Sequence, residues 1–223
     1  MKKLLLTIYM ATCAALAFAQ PATFGIKGGV NLTKFSLQDP NSNLSINSGN
    51  WTSFNVGVFA DLKIPASNLS IQPSLLYTGK GGSLAENAND GSSASVSLDE
   101  RLYYLELPVD LVYHAPVAVG EVYFGAGPYI AYGISGKLSA NIDDGAGNTD
   151  NEIEPVKFGN GANDDITPVQ FGGNLLAGFK FKSGLLINAS YDFGLTNDIP
   201  GANGSGGKNK SNVFSISIGF TLK

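Results

Sequence analysis

Eight stretches of the chain alternate apolar and polar residues with a period of two, the signature of strands that show different faces to different surroundings. The first sets Phe24, Ile26, Gly28, Val30 and Leu32 against Lys27 and Asn31. The second sets Phe54, Val56, Val58, Ala60 and Leu62 against Asn55, Asp61 and Lys63. The third places Leu69, Ile71, Leu75 and Tyr77 opposite Ser70, Gln72, Ser74 and Thr78. In the fourth, Tyr103 to Tyr113 at odd positions oppose Glu106 and Asp110. The remaining four run over 122–132, 169–180, 185–193 and 214–222, with Lys180 and Asp192 on their polar faces.

The connections alternate in length. Ile64–Asn68, His114–Gly120 and Lys182–Gly184 are short. Segments 36–50, 79–100, 137–167 and 196–212 are long and rich in Gly, Asn, Asp and Ser, residues that favour turns. The pattern predicts an all-β fold: a single eight-stranded antiparallel up-and-down transmembrane β-barrel, with tight turns at one end and free loops at the other. Pro73, Pro108 and Pro128 fall inside strands, where each removes a ladder donor, so bulges or local loss of pairing are expected there.

A water-soluble barrel also alternates, with its apolar face turned inward. The aromatic residues separate the two cases. Threaded up and down, Phe54, Tyr77, Tyr103, Tyr132, Phe171, Tyr191, Phe193 and Phe214 gather near the long-loop rim of the apolar faces. Phe24, Tyr113, Phe124, Phe179, Phe181 and Phe220 gather near the short-turn rim. Two aromatic girdles around an aliphatic belt predict a bilayer-spanning barrel. The charges on the other face would be costly in a soluble apolar core.

Residues 1–19 read as a removable secretory signal, with Lys2 and Lys3, an apolar run and Ala17-Phe18-Ala19 before Gln20. The barrel domain is then 20–223, with both ends expected in the periplasm of a Gram-negative cell. Cys13, the one cysteine, leaves with the signal, so no disulfide or thiolate chemistry is expected. The formal charge of −4 becomes two units more negative without Lys2 and Lys3, which argues against nucleic acid as a partner.

Several strings resemble the outer-membrane β-barrel family that includes PorT. They are FGIKGGVNLTKF at 24–35, IQPSLLYTGKGG at 71–82, YLELPVDLVYH at 104–114, YFGAGPYIAYGISG at 123–136 and FSISIGF at 214–220. The resemblance implies an eight-stranded outer-membrane barrel. PorT is linked with a protein secretion system, a role that does not follow from fold alone.

Eight strands enclose a space that side chains can fill. The expected interior holds Lys27, Asp61, Lys63, Glu106, Asp110, Lys180 and Asp192. A structural polar network is expected, with Glu106 and Asp110 reaching across to lysines such as Lys27; the functional alternative is a proton or ion path. His114, the single histidine, reads as a rim or turn residue at the short-turn end. With no histidine or cysteine near the outer rim, the usual hydrolase arrangements are not expected. The acidic stretch NIDDGAGNTDNE (141–152) offers oxygen ligands but lacks the register of an EF-hand, so a solvated loop is favoured over a calcium site.

No cofactor or catalytic residue is expected. The favoured function is a non-enzymatic scaffold or interaction protein with an envelope protein partner, as an accessory of protein secretion. A small-solute or ion channel and a lipid-modifying enzyme are the alternatives. Outer-membrane lipid, lipopolysaccharide and, during assembly, the barrel-insertion machinery are the other expected partners.

Overall fold

Period-two alternation resolves into one antiparallel sheet of ten strands. The computed structural model describes residues 22–38, 45–87, 95–143, 149–161, 164–198, 200 and 208–222; the expected signal at 1–19 lies outside them. The strands are β1 (Ala22–Gln38), β2 (Ser45–Asn47), β3 (Trp51–Lys63), β4 (Leu69–Asn87), β5 (Ser95–Val117), β6 (Gly120–Asp143), β7 (Thr149–Pro155), β8 (Val169–Phe181), β9 (Leu185–Gly194) and β10 (Lys208–Leu222). Eight are long. Each of these pairs with its long neighbours in chain order, and β10 pairs back onto β1 from Phe24↔Leu222 to Gln38↔Lys208. Every long strand therefore has hydrogen-bonded neighbours on both sides. The short β2 extends the sheet beside β1, and β7 folds back on β6.

The two faces are the inverse of a water-soluble protein. Phe24, Ile26, Val30, Val56, Val58, Leu111, Ile187, Ile216 and Ile218 are exposed. Asn31, Asn55, Asp61, Ser74, Glu106, Asp110, Asn174, Asp192 and Ser215 are buried. An apolar exterior of this extent needs an apolar solvent. Exposed and half-buried aromatics cluster at both ends of it. Trp51, Phe54, Tyr77 and Tyr103 form one group, with Tyr77 stacked on Tyr103 at 5.6 Å. Tyr113 with Phe124 at 5.3 Å, and Phe179 with Phe181 at 4.8 Å, mark the other.

The strands run further than alternation alone indicates. Much of the expected long loops is strand: β4 reaches Asn87, β5 starts at Ser95 and β6 continues to Asp143. About 10 residues suffice to cross a membrane; β6 has 24. The β4–β5–β6 wall therefore stands well beyond the Tyr103 girdle. The connection expected over His114–Gly120 tightens to Ala118-Val119, because Val117 pairs with Gly120. Lys63, expected inside, is exposed where β3 enters its turn.

All three prolines interrupt ladders without shifting register. Pairing skips Ala60–Asp61 against Gln72–Pro73, Ser74–Leu75 against Leu107–Pro108, and Val109–Asp110 against Gly127–Pro128. The one bulge on β5 and β6 sits between Tyr103 and Tyr104.

The β1–β10 seam depends on close backbone approach at Gly29, which faces Ser217. A Cβ there would collide with the Ile216 carbonyl oxygen and lie 2.5 Å from Ser217 Cα. Gly29→Val is expected to destabilise the folded state by about 3 kcal/mol. Urea titration of the heat-modifiable folded band on a cold SDS gel measures this. An unchanged midpoint would show that the seam tolerates separation.

Candidate functional site

The buried face arranges its polar groups in tiers. At mid-height, Asn31 of β1 bridges four strands. Its Nδ2 donates to Thr78 Oγ1 (2.9 Å) and to the Gly79 carbonyl (3.2 Å). Its Oδ1 accepts from Asn55 Nδ2 (2.5 Å) and Ser215 Oγ (2.8 Å). Period two puts all these short polar side chains inward, so β10, β1, β3 and β4 are tied from within.

Beside them, Lys80 Nζ lies 2.6 Å from Glu106 Oε2, and each side chain is only 1% exposed. The ammonium also sits 4.3 Å from the Tyr129 ring centroid and 5.5 Å from that of Tyr104. Gln170 Nε2 donates to the Tyr104 hydroxyl at 2.9 Å. Such a pair is tolerated in a low-dielectric interior because cation, anion and ring faces compensate one another. Lys27 lies in the field of Asp110, Asp192 and Glu106, with its ammonium 6.0 Å from the Phe59 ring centroid. Asp192 accepts a hydrogen bond from Asn174 Nδ2. Neither Asp110 oxygen has a hydrogen-bond partner among the described residues.

At the short-turn end, β3, β4, β5, β6 and β8 bring together Asp61, Ser70, His114, Glu121 and Lys180. His114 Nε2 meets Ser70 Oγ at 2.8 Å and Asp61 Oδ1 at 3.5 Å; Nδ1 meets Glu121 Oε1 at 3.0 Å. Lys180 Nζ contacts Glu121 and lies 3.8 Å from Asp61 Oδ2. Ser70–His114–Glu121 has the connectivity of a serine nucleophile, a base and an orienting acid. Access decides against that chemistry here: Ser70 is wholly buried, and the adjoining cavity is about 10 Å³, room for one water at most. Asp61, His114 and Glu121 also offer one nitrogen and two oxygens within 4.8 Å of one another, a set that fits a divalent cation. The Lys180 ammonium already supplies the positive charge between the two carboxylates.

At the long-loop end, Leu102, Tyr104, Tyr129, Ala131 and Ile166 form an apolar cluster, covered by Val156 and Phe158. Asp198, buried beside it, donates its N–H to the Asn209 carbonyl (3.0 Å) and accepts from Thr167 N–H (2.9 Å). Asp198 and Glu100 lie beyond the aromatic girdle. Burial pushes both carboxyls up to about 7, and the neighbouring Asp198 charge adds to the effect on Glu100.

The family model for the outer membrane protein beta-barrel domain matches residues 18–199. The chain belongs to this family. Outer-membrane barrels of solved structure are similar to it at low identity. Neisserial surface protein A shares 13% identity, with 91% of this chain and 100% of that one covered and a TM-score of 0.45. OprG from Pseudomonas aeruginosa shares 12%, covering 91% and 97% with a TM-score of 0.43. Ail of Yersinia pestis, solved with the heparin analogue sucrose octasulfate, shares 12%, covering 90% and 99% with a TM-score of 0.37. No curated protein sequence matches the chain.

Within this outer-membrane β-barrel, Lys27, Asp61, Glu106, Asp110, Lys180 and Asp192 all point to the enclosed side, and they fall into separate tiers. Glu106 pairs with Lys80, not with Lys27. Lys80 was missed because it falls in a segment read as loop; continuing the parity of Gln72, Ser74 and Thr78 would have found it. His114 is not a rim residue: it is buried on the inner face of β5. The acidic 141–152 stretch splits into the paired ends of β6 and β7, with Asp143 opposite Thr149; Asp144 and its neighbours to 148 lie outside the described residues.

Glu106→Gln leaves the Lys80 charge uncompensated and is expected to cost about 3–5 kcal/mol in urea unfolding, with much of that recovered by the double change Lys80→Met, Glu106→Leu. An E106Q protein as stable as the parent would show that the pair contributes nothing. Separately, the folded chain holds protons on Asp198 and Glu100 between the ordinary carboxylate range and about pH 7. The unfolded chain releases them, so their contribution to stability falls as pH rises through that window and levels off above it. The parent is expected to lose more than about 1.4 kcal/mol from pH 4 to 7 relative to a D198N/E100Q variant; superimposable curves would contradict the assignment.

Proposed function

We propose that this outer-membrane protein is a non-enzymatic, closed eight-stranded up-and-down barrel. Both chain ends face the periplasm of a Gram-negative cell, and the protein works as an interaction scaffold for an envelope partner. The observation that carries this reading is the filled interior. Lys80, Glu106, Tyr104 and Tyr129 are buried within it, and among the described residues the cavities at the His114 cluster and beside Glu106 are about 10 Å³ each. A solute channel needs a continuous wet path, and a lipid-modifying enzyme needs an accessible nucleophile or water. The interior favours neither.

Function is then left to the surface. Beyond the girdle, the β5–β6–β7 wall exposes Val96, Ile142 and Ile153 to the surroundings. Val96 and Ile142 are direct register partners. Exposed apolar side chains outside the lipid belt support a protein contact. The resemblance of strings such as YLELPVDLVYH at 104–114 to the PorT-containing family supports an accessory role in protein secretion.

The test is recovery from the native outer membrane in mild detergent, with planar-bilayer recording of the same material. A stoichiometric envelope partner is expected, lost on Ile142→Asp while the heat-modifiable band is unchanged, and no stable conductance step. Recovery of a lone barrel that conducts steadily would overturn the proposal.

A further inference from the structure

Where the wall rises beyond the girdle, it encloses a cavity of about 340 Å³ that opens outward. This lies in the range of small-molecule sites. Two register rows build it. One runs Leu84–Leu98–Ala140–Glu152 across β4, β5, β6 and β7, and the next runs Gly82–Glu100–Leu138–Glu154. The first row is apolar up to its terminal Glu152, and the second carries Glu100 within it and Glu154 at its end. Phe35 of β1 closes the opposite side. It is held by its N–H donating to Ser48 Oγ (2.8 Å) and its carbonyl accepting from Ser48 N–H (2.9 Å).

The charged groups that line this cavity have one sign. Asp99, Glu100, Glu152 and Glu154 line it, and no lysine or arginine does so among the described residues. Asp99 is partnered by Arg101 at 3.6 Å. Asn209 also lines the cavity. It is 7% exposed, and its Oδ1 has no hydrogen-bond partner among the described residues. A buried acceptor left open in a cavity wall calls for a donor from outside.

We propose that this vestibule binds a small amphipathic primary amine. Its apolar body packs on Phe35, Leu84, Leu98 and Leu138, and its ammonium group is held by the Glu100 carboxylate and Asn209 Oδ1. The chemistry of the walls selects each half. Apolar side chains give the body a dry surface, and a protonated amine supplies both the positive charge that the carboxylates lack and the N–H that Asn209 lacks. Glu152 and Glu154 at the open side raise the local concentration of cations. The inference goes beyond the scaffold reading and stands whether or not an envelope partner exists.

The experiment is calorimetric titration at pH 8, where the Glu100 carboxyl is ionised and the amine still protonated, of the full-length protein in nanodiscs with 2-phenylethylamine and, as its neutral counterpart, 2-phenylethanol. The amine is expected to bind at least about tenfold more tightly than the alcohol. Glu100→Gln is expected to remove that preference while leaving alcohol binding unchanged. Glu154→Gln, an exposed position that does not support the fold, is expected to weaken the amine alone and to reduce the salt dependence of its binding. Equal affinity for amine and alcohol, no binding beyond that of empty nanodiscs, or an unchanged amine preference in a folded E100Q protein would each overturn the proposal.

Discussion

A backbone amide in hydrocarbon has no water to bond, and this chain is organised around that constraint. Each N–H and C=O that crosses the bilayer must find its partner in a neighbouring strand, so a sheet with free edges would leave two rows of groups unpaired. The continuous ladder from Phe24↔Leu222 to Gln38↔Lys208 joins the first and last strands and removes those edges. Because the ladder needs β1 and β10 in register, the sequence places small residues where they meet. Gly29 lies against Ser217, and Asn31 binds Ser215 from the enclosed side.

Once the sheet returns on itself, its inner face becomes a narrow space with little water, and its chemistry must be internally balanced. The tiers achieve this in different ways. Neutral amides and hydroxyls bond one another around Asn31. Lys80 and Glu106 cancel each other within an aromatic frame. At the short-turn end, Asp61 and Glu121 share His114 and Lys180. Between these tiers lie apolar groups such as Val112, Tyr123 and Leu176, which pack against one another and leave little void.

The strands were legible because lipid on one side and an enclosed polar face on the other impose a strict alternation, and because aromatic residues mark where the lipid ends. Phe54, Tyr77 and Tyr103, far apart in the chain, could be assigned to one rim and do touch. Pairing inside was less legible. Parity tells that Glu106 points inward, but its partner depends on the stagger between β4 and β5, which no local pattern encodes. The same stagger carries His114 past the rim to Ser70 and Glu121. Strand ends were also obscure: beyond the girdle no lipid enforces alternation, so Gly- and Ser-rich segments such as 79–87 read as loop although they continue the ladder. The acceptor at Asn209 and the rows ending in Glu152 and Glu154 could be seen only once the register was known.

The three proline gaps lie side by side across β3, β4, β5 and β6, whereas the ladders joining β6, β8, β9, β10, β1 and β3 run without a break. The wall is therefore mechanically uneven. A cylinder stitched tightly on one side and loosely on the other does not deform as a circle. Under lateral pressure from the bilayer, bending would concentrate along the loose side, where fewer hydrogen bonds resist it. That compliant flank includes the strand bearing Glu106 and Asp110, and it continues upward into the tall β4–β5–β6 wall. Strain applied to the protruding wall from outside is thus directed to the part of the barrel best able to yield.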